Sequence, residues 1–165
     1  EDLNFEQIKN FSIKRKIVSK SFFDFERQES ESTSEFEEII QTIQNEFPAE
    51  KIYDEKELQA QLTIFLKTKY PDSEVEREIS NNDGGFVDIL MDDKYAFELK
   101  VPRSRTELRN LRGQIEEYQE DYSNLCVVIF ENEDYDITED IEKYVNIYRE
   151  KYDVPSVVLH GRKRK

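Results

Sequence analysis

Two short apolar runs carry the residue types that could do chemistry. Asp88 interrupts Phe86–Met91, and Glu98 and Lys100 interrupt Tyr95–Val101. Strand side chains alternate between faces, so Tyr95, Phe97, Leu99 and Val101 share one face and Ala96, Glu98 and Lys100 the other. If Asp92, Asp93 and Lys94 form a three-residue turn, Met91 lies opposite Tyr95, Ile89 opposite Phe97, Val87 opposite Leu99, and Asp88 opposite Glu98. A two-residue turn would set Asp88 against Phe97 and mix the faces. Carboxylates side by side on neighbouring strands repel one another, and a divalent cation with hard oxygen ligands relieves them; Mg²⁺ or Mn²⁺ suits such a site. A lysine two positions along can hold an attacking water or help deprotonate it, and can offset phosphate charge. These are the parts needed for phosphodiester hydrolysis. The string acid-x-Lys arises easily in a chain with 38% charged residues, and recurs at Asp54-x-Lys56 and Asp92-x-Lys94. The apolar strand around Glu98-x-Lys100 sets it apart; the bland alternative is a solvated hairpin face with a cross-strand ion pair.

The elements that must position these groups follow from periodicity and punctuation. Asp54 is an N-cap with Glu57 three residues on, the form of a capping box, and Leu58, Leu62, Phe65 and Leu66 repeat at helical spacing until Pro71. Glu74–Ile79 alternates, Asn81-Asn82-Asp83-Gly84-Gly85 is a turn, and the two apolar strands follow, making an antiparallel meander. Thr106–Tyr122 reads as a helix, Leu125–Phe130 as a buried strand, Thr138–Tyr152 as a helix and Ser156–His160 as a last strand. Buried strands alternating with helices imply parallel pairing at the sheet centre. The order is α-β-β-β-α-β-α-β, an α/β fold with a mixed central sheet flanked by helices. Ahead of this core, residues 1–51 read as a helical extension. It comprises a helix-like stretch over 1–23, an acidic linker over 24–34, and an amphipathic helix over Glu35–Phe47 capped by Ser34 and stopped by Pro48. Residues 52–161 form the main domain, and 162–165 a basic tail.

The 165-residue chain suits one domain of ordinary size. Its twenty aromatics (Tyr 9, Phe 11) can supply large blocks of buried area to the core. A single cysteine, Cys126, cannot close an intramolecular disulfide, and a single histidine, His160, cannot build a histidine metal cage. Cys126 within LCVVIF reads as a core residue, and nothing but coexistence joins it to His160 as a catalytic pair. No apolar run reaches the roughly 20 residues of a membrane span, and no signal-peptide layout opens the chain, so a reducing cytoplasm is expected. Opening on Glu1, the sequence reads as an excised domain or a trimmed chain. The net charge of −14 argues against nucleic acid as a partner, but its distribution does not. Arg103, Arg105, Arg109 and Arg112 form a basic stretch directly after Lys100, where a phosphate backbone would run.

Glu57 on the first helix, Asp88 in GGFVDIL, Glu98 and Lys100 in FELK, and Gln114 with Tyr118 in QIEEY together resemble the PD-(D/E)xK nuclease superfamily, the restriction-endonuclease-like fold, over Asp54 to His160. The Q-x-x-x-Y pattern is similar to that of RecB-type nuclease domains. The resemblance implies that Asp88, Glu98 and the backbone carbonyl of Leu99 bind Mg²⁺ or Mn²⁺, with Glu57 as a further ligand and Lys100 as the catalytic lysine. Glu57 is preferred to the nearby Glu55 because it begins ELQAQL, although a capping glutamate needs no metal to explain it. Gln114 and Tyr118 lie four apart on one helix face, so both can reach the metal edge or the scissile strand. Val87 stands where the motif has proline. The expected function is a metal-dependent nuclease, DNA favoured over RNA, with a homodimer and a linked or separate sensor or motor domain as open partners. The rivals are an inactive nucleic-acid- or protein-binding module on the same scaffold and an acidic interaction protein mimicking nucleic acid.

Overall fold

The computed structural model describes residues 34–80 and 84–161. The expected helix over 1–23, nearly all of the linker and the tail over 162–165 lie outside them. The chain divides into Glu1–Glu38 and Ile39–Lys165, so residues 39–51, assigned above to the extension, belong to the unit that holds the sheet. The elements follow the expected order. Helix α1 covers residues 34–46, with Ser34 inside the helix rather than capping it. Next come α2 (Glu55–Lys69), β1 (Val75–Ser80), β2 (Phe86–Met91), β3 (Tyr95–Lys100), α3 (Arg105–Asp121), β4 (Asn124–Glu131), α4 (Thr138–Tyr152) and β5 (Ser156–His160). The strands form one mixed five-stranded sheet in the order β1-β2-β3-β4-β5. The β1-β2-β3 meander is antiparallel. β4 and β5 run parallel to β3, each reached through a helix.

The β2–β3 hairpin closes as the apolar pattern demands. Met91 pairs with Tyr95 and Ile89 with Phe97, and Asp92 and Asp93 take left-handed φ of 53° and 56° in the three-residue turn. Aspartate tolerates that conformation better than most residues. The centre of the sheet is buried on both faces. Ala96, Leu125, Val127 and Ile129 form one cluster with Leu108, Leu111, Ile115 and Tyr118 of α3 and Ile141, Tyr144 and Tyr148 of α4. The Tyr148 hydroxyl donates to the Leu108 carbonyl at 2.5 Å and ties the two helices together. α2 packs against β1, β2 and β3 through Leu58, Leu62 and Leu66.

The two outer strands are treated differently. On β5, the Gln44 side chain donates to Val158 O at 3.1 Å and accepts from Val158 N at 3.3 Å. One amide from α1 thus satisfies the edge that β4 leaves open. β1 instead exposes Glu76, Arg77 and Glu78, and Glu78 has a left-handed φ of 54°. Charge and a local kink protect that edge. Among the described residues no helix is long and apolar enough to cross a membrane.

Candidate active site

The β2–β3 ladder ends at Ile89↔Phe97, so the expected pairings of Asp88 with Glu98 and Val87 with Leu99 do not form. Side chains replace them. Asp88 Oδ2 accepts the Leu99 N–H at 2.7 Å, and Gln59 Nε2 of α2 donates to the Asp88 carbonyl at 2.8 Å. Both backbone groups stay satisfied while the strands part. Val87 and Leu90, which strict alternation would put on opposite faces, belong to the same buried cluster, another sign that β2 departs from a regular pleat here.

Glu98 sits in this gap, only 1% exposed. Its Oε1 lies 3.1 Å from Lys100 Nζ, and its Oε2 is buried with no hydrogen-bond partner. Lys100 Nζ also lies 3.5 Å from Glu55 Oε1 at the start of α2. Burial, and after it the charge of Asp88, pushes the Glu98 carboxyl up to about 8. Burial also raises Asp88 above the usual carboxylate range, against the opposing pull of the Leu99 N–H and Lys100. For Lys100 burial acts alone in the lowering direction; Glu98, Glu55 and Asp88 outweigh it and hold the ammonium above its ordinary value. From the α3 side, the Tyr118 hydroxyl donates to the Phe86 carbonyl at 2.7 Å. Burial raises its pKa, and so do Glu98 and Asp88, while a hydrogen bond with Gln114 pulls the other way. Asp88, Glu98, Lys100, Gln114 and Tyr118 therefore come together.

Two other groups of expected site residues fall elsewhere. Glu57 Oε2 accepts the Tyr53 N–H at 2.7 Å, and its own N–H donates to Asp54 Oδ1 at 2.9 Å. Its carboxylate is drawn back over the start of its helix, and the glutamate that reaches the cluster is Glu55. Helix phase explains this. At about 100° per residue, Glu55 falls within ~60° of Leu58, Gln59, Leu62 and Leu66, whereas Glu57 lies about 100–180° away from each of them.

The arginines of α3 lie on another side of their helix from Gln114 and Tyr118. Arg105 Nε lies 3.6 Å from Asp140 Oδ1 on α4, and Arg112 acts on Tyr148 and Lys151 of the same helix. Arg105, Arg109 and Arg112 lie about 140–180° round α3 from Gln114, so that helix shows its arginines to one side and its Gln-Tyr pair to the other. Arg103 precedes the helix and is exposed.

Gln59 escaped the sequence reading altogether. The signal was its place one turn after Glu55 on the buried stripe, where a polar side chain needs a partner.

Among the described residues no three His, Cys, Asp or Glu side chains stand ready around a common point for a metal ion. The donor chemistry still fits a hard divalent cation: the buried Glu98 carboxyl, raised by burial and by Asp88 and with one unpartnered oxygen, stands beside the half-buried Asp88 carboxyl. Strand geometry sends the Leu99 carbonyl to the same side as its N–H, so it opens to the same gap. No protein-family model, no curated protein and no solved structure matches the chain.

Proposed function

We propose that this protein is a metal-dependent nuclease with a restriction-endonuclease-like core, acting on DNA in preference to RNA. The observation that carries the reading is the cluster of buried Glu98 with half-buried Asp88 and Lys100 at the parted end of β2 and β3, with Glu98 Oε2 left unpartnered. A chain keeps such an arrangement at a cost in stability, which points to use. The element order and mixed sheet support the same reading.

Asp88, Glu98 and the Leu99 carbonyl would hold Mg²⁺ or Mn²⁺, with Glu55 in the place first given to Glu57. Bound there, the cation supplies charge neutralisation at the phosphate and acidifies a water. The remaining work belongs to the chain. Gln59 and the Leu99 N–H fix Asp88 from both ends. Lys100 is held charged by two glutamates, so it orients the attacking water and meets the phosphate's negative charge rather than taking up a proton. Glu98, with its carboxyl pushed to about 8, gives up its proton as the site is loaded. Tyr118 and Gln114 close the α3 side of the gap.

The test is cleavage of labelled single- and double-stranded DNA and RNA with Mg²⁺, Mn²⁺ or EDTA, comparing the native chain with Asp88→Ala and Lys100→Ala. Metal-dependent cutting that is lost in both variants supports the proposal; cutting that survives in both removes the site from it. A second reading, an inactive binding module on the same scaffold, draws on the lack of a ready three-ligand cage among the described residues. It requires nucleic acid or protein binding by a chain that cuts nothing. Calorimetric Mn²⁺ binding that disappears in Asp88→Asn would count against both that reading and an acidic mimic.

A further inference from the structure

We infer that the substrate is engaged as a single strand, with unpaired bases stacked on Phe86 and Tyr53 on either side of the acidic cluster. This deepens the nuclease proposal and rests on its site. Among the described residues three large apolar side chains are exposed: Tyr53 at 60%, Ile64 at 68% and Phe86 at 58%. The two aromatic ones each lie two residues before a carboxylate of the cluster, Tyr53 before Glu55 and Phe86 before Asp88. Ile64 lies on the outer face of α2, away from the cluster.

Neither aromatic position is loose. The Phe86 carbonyl accepts from the Tyr118 hydroxyl, the group that feels both Glu98 and Asp88, and the Tyr53 N–H is bonded to Glu57. Their backbones are anchored while their rings face solvent. An exposed aromatic ring on a fixed backbone is a stacking platform, and every base offers it a π-face.

Charge favours the same occupant. A duplex hides the faces of its bases and must be held by its phosphates. Yet Arg105 and Arg112 of α3 are turned toward α4, and the whole chain carries a net charge of −14. With few cations at the cluster, affinity has to come from base stacking, which only unpaired nucleotides can supply.

The chain contains no tryptophan, so Phe86→Trp, Tyr53→Trp and Ile64→Trp each create a single fluorescent reporter. Each is titrated in EDTA, where nothing is cut, with a thymidine oligonucleotide of about a dozen residues and with a blunt duplex. The expected result is strong quenching at positions 86 and 53 by the single strand at one shared dissociation constant, weak quenching by the duplex, and none at position 64. No quenching at 86, or equal quenching at 64, overturns the inference.

In kinetics, Phe86→Ala should raise KM for the single strand about tenfold with kcat little changed, Phe86→Tyr should restore it, and hydrolysis of bis(p-nitrophenyl) phosphate should stay at the native rate. A loss of small-diester hydrolysis would mean that Phe86 supports the fold and would overturn its stacking role. The two readings fail separately: quenching by a chain that cuts nothing sinks the nuclease and keeps the stacking site, and cutting without quenching does the reverse.

Discussion

In α2 the N–H of Tyr53, one residue before the Asp54 cap, donates to Glu57 Oε2 at 2.7 Å. In α3 the N–H of Arg103, one residue before Ser104, donates to Glu107 Oε2 at 3.0 Å. Both helices then bury a leucine at the next position, Leu58 and Leu108. Sharing that bond, they diverge at three places, the first being the cap: Asp54 accepts the Glu57 N–H, whereas the Ser104 side chain caps no N–H. The first helical residue is Glu55 in α2, which meets Lys100, and Arg105 in α3, which meets Asp140. Four residues later stand Gln59, buried on the Asp88 carbonyl, and Arg109, exposed to solvent. Such a helix start is thus a neutral frame, and the surface beneath it decides whether its first turn serves a site or a neighbouring helix. α2 lies over the parted strands, so its first turn inherits unsatisfied polar groups. α3 lies beside α4, and its arginines find carboxylate and phenol there.

The comparison is tested most severely by the chemistry that α2 serves. Asp88→Asn should lower the rate of oligonucleotide cleavage by about 10³-fold or more, since it removes a carboxylate that holds the cation; a rate within tenfold of native would break the link between α2 and catalysis. Glu55→Gln and Glu57→Gln separate the two glutamates. The first should cost about 10- to 100-fold in cleavage and little stability. The second should cost about 1 kcal/mol of stability, read from urea unfolding, and leave cleavage intact. The opposite pairing would return the site role to Glu57.

A third expectation concerns pH. Glu98 rises from an ordinary 4.5 to about 8 in the folded chain, so between those values the native state holds a proton that the unfolded state has lost. Stability in EDTA therefore falls as pH rises through that window. Glu98→Gln should flatten this decline, with the largest gain in melting temperature above pH 8; an unchanged slope would mean that the carboxylate is charged throughout.

Smaller effects separate the fifth-residue positions. Gln59→Leu leaves the half-buried Asp88 carbonyl without its donor and should cost about 1–3 kcal/mol, whereas Arg109→Leu should change stability by less than about 0.5 kcal/mol. The smallest expected effect is on binding. Arg109→Glu should leave nucleic-acid affinity in a filter assay unchanged, because that side chain faces away from Gln114; a marked loss would show that a second stretch of the substrate crosses α3.

Much of the fold could be read along the chain. The three-residue turn, the Met91–Tyr95 and Ile89–Phe97 pairings and the succession of helices and strands after Asp54 were legible because each depends on a period of two or 3.6 and on nearby caps and breakers. The convergence of Asp88, Glu98 and Lys100 was legible in outline, since the hairpin register sets them near one another, although the expected pairing of Asp88 with Glu98 does not form. The choice between Glu55 and Glu57 was half legible. The apolar stripe of α2 places Glu55 inward, but Glu57 also fits a capping pattern, and one residue can satisfy a local motif without touching the site. Gln59 and Gln44 were not legible, since each answers an open backbone group on a strand distant in sequence.

By itself, then, the sequence determined which elements form, which way the meander folds and which three polar groups it gathers, because short-range sterics and alternation act within a few residues. Only the tertiary structure decided that β2 and β3 part at Asp88, that α2 sends Glu55 and Gln59 into the gap, and that Arg105 and Arg112 of α3 turn to α4. Those outcomes depend on what lies across from each side chain once water is gone, where a buried polar group must find a partner or stay costly.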